Sequence, residues 1–177
     1  MTDKELIQQL RDPQTRRRTF EKVVAQYSEQ MYWKIRHIVL RHEDADDVLQ
    51  NSFVKAWLRL DDFRGDSALS TWLYRICVNE SLDFLRKKRE QLTPDGAMTI
   101  ADTMFADDYF DGDETEKMLL EAVESLPEAQ RATFMMRYFD EMPYKEMAQI
   151  VGISESGLKT NYHLAVKKIK EFFNRHD

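Results

Sequence analysis

The chain has 177 residues, a length that suits one domain or two small ones. Five glycines, four prolines and short β-branched runs favour an all-α chain, and no apolar run is long enough to cross a bilayer. The single cysteine, Cys77, excludes an intramolecular disulfide and fits a reducing cytoplasm, while a net charge of −6 argues at first against a nucleic-acid partner.

The opening segment MTDKELIQQL is amphipathic and lacks the apolar core of a secretion signal. In residues 20–40, Phe20, Val23, Val24, Tyr27, Met31, Ile35, Ile38 and Val39 recur at helical spacing and predict an amphipathic helix. A second helix is expected from about Asp44, its acidic first turn matching the positive end of the helix dipole. Val48, Leu49, Phe53, Ala56, Trp57 and Leu60 form its apolar stripe. The pattern breaks at Gly65, and Ser70 or Thr71 can cap a third helix that runs to about Arg89.

Residues 90–116 hold nine acids and no lysine or arginine, which leaves the rest of the chain at +3. With Pro94, Gly96 and Gly112 this reads as an acidic linker, and its apolar residues, such as Phe105 and Phe110, suit docking anchors. Neither flanking part is strongly basic, so tight autonomous DNA binding through phosphate contacts is not expected. Helices resume near Thr115, with Pro127 and Pro143 each at a helix start, where a missing N–H costs nothing.

The end of the chain carries the first DNA-directed pattern. Tyr144, Met147, Ala148 and Val151 form the inward face of a short helix, followed by Gly152 where a positive φ is wanted. Ile153 is the turn residue and Ser154 the cap of the next helix, whose apolar stripe is Leu158, Tyr162, Ala165, Val166 and Ile169. Its outward positions are Ser156, Gly157, Lys159, Thr160, Asn161, His163, Lys167 and Lys168. Such residues bond base edges and phosphates from a recognition helix in the major groove.

The second pattern lies in residues 63–89. Here Trp72, Leu73 and Ile76 read as core, while Tyr74, Arg75 and Asn79 fall on other faces, ahead of the basic run Arg86, Lys87, Lys88 and Arg89. Aromatic rings near arginines suit unstacked bases.

With both patterns in view, the chain resembles extracytoplasmic-function sigma factors of the sigma-70 family. DADDVLQNSFVKAWLRLDDFRGDSALSTWLYRICVNESLDFLRKKR resembles that family's second region, and SLPEAQRATFMMRYFDEMPYKEMAQIVGISESGLKTNYHLAVKKIK its fourth. The resemblance implies two helical domains, residues 1–89 and 117–177, joined by the linker at 90–116. It implies that Asp44, Asp46, Asp47, Gln50 and Asn51 dock on the β′ clamp helices of core RNA polymerase. It implies that Phe63, Arg64, Gly65, Asp66, Ser67, Ala68 and Leu69 form a loop that captures a base flipped out of the minus-ten element. Trp72, Tyr74, Arg75 and Asn79 on the following helix then support the melted strand, as does the basic run. The outward residues of the last helix would read the minus-thirty-five duplex. Core polymerase, through β′ and β, promoter DNA and an anti-sigma protein are the partners implied, for a cytoplasmic chain that is a monomer when free. The recognition helix departs from many relatives, since Asn161, Leu164 and Val166 stand where they place arginines.

His37, His42, His163 and His176 show no metal-ligand spacing with Cys77 or with one another, and the acids at 43–47 lack the glycine and closing Glu of a calcium loop. No nucleophile–base pair or phosphate-binding loop is present, so neither cofactor nor catalysis is expected. The rival reading is a stand-alone helix-turn-helix regulator, which leaves residues 44–89 without a task.

Overall fold

A computed structural model of the chain describes residues 2–91 and 114–176. The linker residues 92–113, with the expected anchors Phe105 and Phe110, lie outside the described residues, as does the Arg89 side chain. Among the described residues the regular elements are all helical. They are α1 (Asp3–Arg11), α2 (Arg16–Val39), α3 (His42–Leu58), a 3-10 turn (Leu60–Asp62), α4 (Leu69–Gln91), α5 (Glu114–Glu124), α6 (Glu128–Tyr138), α7 (Tyr144–Val151) and α8 (Glu155–Arg175).

α1 begins in a capping box. The Thr2 hydroxyl accepts from the Glu5 N–H and the Glu5 carboxylate accepts from the Thr2 N–H, satisfying two of the donors every helix start leaves open. Burial of Leu6 and Leu10 then docks α1 on α2. Down α2, Val23, Tyr27, Met31, Ile35 and Ile38 are buried at the expected spacing. They meet Val48, Phe53 and Ala56 of α3 and Leu73, Ile76 and Cys77 of α4 in a three-helix core. Burial pushes the Cys77 thiol up to about 12, so it packs as a small hydrophobe rather than a nucleophile.

The start of α4 differs from the sequence expectation. The helix opens at Leu69, and the Leu69 N–H donates to the Asp3 carboxylate at 3.2 Å, a cap supplied from 66 residues away rather than by Ser70 or Thr71. Spacing along one segment cannot disclose such a partner.

In the second half, α8 packs against α5, α6 and α7 around Leu120, Val123, Met135, Met147, Leu158 and Ala165. Pro127 and Pro143 occupy N-cap positions with ψ of 148° and 142°, just outside the first helical residue. Gly152 ends α7 with φ 74°, and its N–H donates to the Ala148 carbonyl. The Ser154 hydroxyl accepts from the Gly157 N–H at 3.0 Å, so the turn and cap form as the sequence implied.

The two halves pack on each other through α2 and α4 on one side and α6 and α7 on the other. No described helix is long and apolar enough to cross a membrane.

A Cβ on Gly152 would meet nothing within 4 Å, so only backbone strain opposes Gly152→Ala. The expected loss is about 1 kcal/mol, read from chemical denaturation, with Gly152→Asn closer to wild type. Equal stability of Gly152→Ala and wild type would contradict the left-handed turn.

Candidate nucleic-acid and polymerase interface

The five residues expected to meet a partner at the start of α3 are not equivalent. Asp47, Gln50 and Asn51 are exposed. Asp46 is half exposed, 3.4 Å from His42 of the preceding turn. Asp44 instead pairs with Lys88 at 2.6 Å, both side chains largely covered. That pair joins the start of α3 to the end of α4, and it occupies two residues that the sequence assigned to different surfaces. The helix also carries a feature the sequence reading passed over. Val54 is 58% exposed and Leu58 75% exposed, and with Asp47, Gln50 and Asn51 they follow the three- and four-residue spacing of one helix face. Two apolar residues among exposed acids and amides were legible as a second stripe beside the core stripe.

The loop 63–69 hangs between two buried anchors, Phe63 and Leu69. The Phe63 ring lies 4.8 Å from Trp72, tilted by 33°. Between the anchors Arg64, Gly65, Asp66 and Ala68 are exposed and Ser67 is half-buried. Gly65 has φ 82°, a conformation that only glycine adopts without strain. Trp72, Arg75 and Asn79 follow one face of α4 and range from half-buried to exposed. Lys87 is exposed, and Arg86 pairs with Asp83 and, across the two halves, with Glu128 at 3.1 Å.

Tyr74 departs most from expectation. It is 3% exposed, and its hydroxyl donates to the Asp140 carboxylate of the second half at 2.6 Å. Lys34 sits over its ring at 4.1 Å. Burial, followed by the Asp140 charge, pushes the Tyr74 phenol far above its ordinary range and keeps it a neutral donor. The other Asp140 oxygen lies 3.3 Å from His37 Nδ1, whose ring stacks on Phe139. Burial alone would raise the Asp140 carboxyl, but the His37 and Tyr74 hydrogen bonds and the Lys34 charge outweigh it and hold it below the ordinary range. Beside this seam, buried Arg131 of α6 donates to the Ile38 carbonyl at 2.8 Å.

On α8, Ser156, Lys159, Thr160, His163, Lys167 and Lys168 are exposed, and Asn161 is half-buried. Lys159 lies 5.8 Å from the Tyr144 ring, a contact that steadies its stem over the turn. The Thr160 hydroxyl turns back to the Ser156 carbonyl. Gly157 is half-buried, and a Cβ there would meet Ile153 Cγ2 at 3.0 Å and the Ser154 hydroxyl at 3.1 Å. The glycine therefore allows α8 to close on its turn. Among the described residues no group of three His, Cys, Asp or Glu side chains is arranged to hold a metal ion.

Residues 23–91 match the family model for sigma-70 region 2, and residues 116–169 that for sigma-70 region 4. The chain is 31% identical to an ECF RNA polymerase sigma-E factor from Salmonella typhimurium, over 85% of this chain and 83% of that protein. This chain belongs to the extracytoplasmic-function sigma factors of the sigma-70 family. A second relative, the RNA polymerase sigma-H factor of Pseudomonas aeruginosa, is 30% identical over 76% of each chain. The fold of this sigma factor is similar to that of CnrH, solved in complex with the cytosolic domain of CnrY, with a TM-score of 0.67 and 23% identity over 99% of both chains. It is also similar to RpoE from Bartonella quintana, solved with the anti-sigma factor NepR, with a TM-score of 0.63 and 20% identity over 88% of this chain and 96% of that one. The protein is a sigma subunit of RNA polymerase, and its two expected regions fall on α2–α4 and α5–α8.

Because the Asp140 carboxyl is held below its ordinary value, its contribution is complete above that value and is lost as pH falls through the depressed one. Denaturation midpoints at pH 7 and pH 3 should therefore differ less for Asp140→Asn than for wild type. Equal differences would mean that Asp140 does not secure the seam.

Proposed function

We propose that this sigma factor docks on core polymerase through the exposed face of α3 and reads a promoter at two places. Asp46, Asp47, Gln50 and Asn51 supply acid and amide groups for a basic partner surface such as the β′ clamp helices, and Val54 and Leu58 extend that face with apolar area. The observation that carries the reading is this partly apolar strip, exposed on the same chain as a helix-turn-helix. A stand-alone operator-binding protein has no use for it.

The loop 63–69 and the α4 face of Trp72, Arg75 and Asn79 take the melted minus-ten strand. A flipped base loses stacking worth a few kcal/mol, and aromatic contact and hydrogen bonds offset that loss. Lys159, His163, Lys167 and Lys168, with Ser156, Thr160 and Asn161, face the minus-thirty-five duplex. The functional units are residues 1–89 and 117–177, with 90–116 as linker. Catalysis belongs to the core enzyme and not to this chain, which acts in the cytoplasm as a monomer when free.

The free protein is the closed form. Tyr74 cannot support a melted strand while it is sealed against Asp140, so core polymerase must part the two halves. An anti-sigma protein acts by keeping them together. Neither half is strongly basic, which agrees with promoter binding only in the holoenzyme.

Asp47→Lys combined with Leu58→Asp should weaken co-elution with core polymerase at least tenfold, with the helical circular dichroism signal unchanged. Undiminished co-elution would exclude the α3 face. Lys159→Ala should either relax specificity at one minus-thirty-five position, at about 1–3 kcal/mol, or weaken all such promoters alike through a lost phosphate contact. No change at any promoter with a minus-thirty-five element would remove α8 from the site.

A further inference from the structure

The region 2 match begins at residue 23, so α1 stands outside it, yet α1 holds both ends of the 63–69 loop. At one end Arg11 Nη2 donates to the Arg64 carbonyl at 2.9 Å. At the other the Asp3 carboxylate accepts from the Leu69 N–H, and it is fixed in turn by the Tyr27 hydroxyl at 3.3 Å. The strap lies close over the turn: a Cβ on Gly65 would stand 3.7 Å from Arg11 Nη2 and 4.0 Å from Ile7.

Between strap and loop lies an open cleft of about 640 Å³. From α1 it is lined by Lys4, Gln8 and Arg11, which are exposed and spaced four and three residues apart on one helix face, away from buried Leu6 and Leu10. From the loop it is lined by Arg64 and the small residues Gly65, Ser67 and Ala68. The one acid in the lining, Asp3, already accepts two hydrogen bonds. The cleft is therefore net cationic, with a floor of backbone and small groups and a neutral amide on its wall. Among the described residues Lys4 and Arg64 have no ion pair, so their charge faces solvent.

We propose that α1 is part of the strand-binding site, and that this cleft takes a nucleotide of single-stranded DNA. Lys4, Arg11 and Arg64 meet the backbone phosphate. The base lies over Gly65, Ser67 and Ala68, with the Gln8 amide in reach of its edge. Arg11 has two tasks, since its guanidinium positions the loop through the Arg64 carbonyl and faces the cleft with its remaining donors. The inference rests on the minus-ten reading of the loop and adds a second wall to it.

The test uses the full-length chain assembled with core polymerase. The probe is a fluorescein-labelled single-stranded oligonucleotide carrying the minus-ten element of a promoter that the wild-type holoenzyme opens. Each phosphate contact to a single strand adds about 0.7 to the slope of log affinity against log salt. Lys4→Ala should lower affinity several-fold and reduce that slope by about 0.7, with core assembly unchanged. Gln8→Ala should lower affinity without changing the slope, and Arg11→Lys should keep the slope but lose affinity because the fork that holds Arg64 is gone. Unchanged affinity and slope for both Lys4→Ala and Gln8→Ala would reduce α1 to a structural strap and overturn the proposal. A wild-type holoenzyme that opens promoters but does not bind the oligonucleotide would refute the minus-ten reading itself, a separate result.

Discussion

The two halves of this sigma factor are joined where α2 ends, and the chemistry of that end dictates the join. A helix C-terminus leaves carbonyls without intrahelical donors, and burying them unpaired is costly. Here the Leu40 N–H donates to the Arg36 carbonyl, and the chain leaves the helix with Leu40 at φ 73°. The Arg36 guanidinium returns a hydrogen bond to the Leu40 carbonyl. The Ile38 carbonyl is satisfied from the other half, by Arg131. A buried cation at the negative end of a helix is favoured by the dipole as well as by the hydrogen bond. Beside it Asp140 gathers His37 and Tyr74. These contacts are polar and directional. Together they set where α6 lies against α2 and α4, as an apolar seam alone would not.

That seam links fold to function through Tyr74. The residue lies on α4 beside the face assigned to DNA, yet it follows the buried run of Val78, Ser81 and Leu85. Its hydroxyl is matched to a carboxylate from the second half, not to a base. A contact of this type, made of directional hydrogen bonds at Tyr74, His37 and Arg131, is suited to exchange. Exchange of these partners for water has a modest net cost, because each hydrogen bond contributes only about 1 kcal/mol net. The Asp44–Lys88 and Lys55–Glu80 pairs, by contrast, tie α3 to α4 within one half. They hold α3 and α4 in fixed relation independently of the second half.

Much of this was legible in the residues. The periodic stripe from Val23 to Ile38 revealed α2, and Gly152 followed by Ser154 revealed the turn of the helix-turn-helix, because both signals are local. Gly65 marked the loop for the same reason. What was not legible depends on distance along the chain. Asp3 capping Leu69, Lys88 meeting Asp44 and Asp140 meeting Tyr74 join residues 66, 44 and 66 positions apart, and no period announces them. The burial of Tyr74 under the second half has no local signal for the same reason. An aromatic beside Arg75 and exposed Asn79 looks available until the second half is packed on it. Val54 and Leu58 are of another kind, since their spacing with Asp47 and Asn51 is local and present in the sequence.

On the function proposed above, the free chain is closed across the Asp140 seam and opens on core polymerase. The most direct measurement is the distance between spin labels on Glu29→Cys in α2 and Gln149→Cys in α7, both exposed, with buried Cys77 replaced by Ala. Free protein should give one short, narrow distribution. Addition of core polymerase and promoter should move it to a single longer one, and Asp140→Ala should broaden the free distribution. A long distance in the free wild-type chain, or a short one that persists in the open complex, would contradict the account.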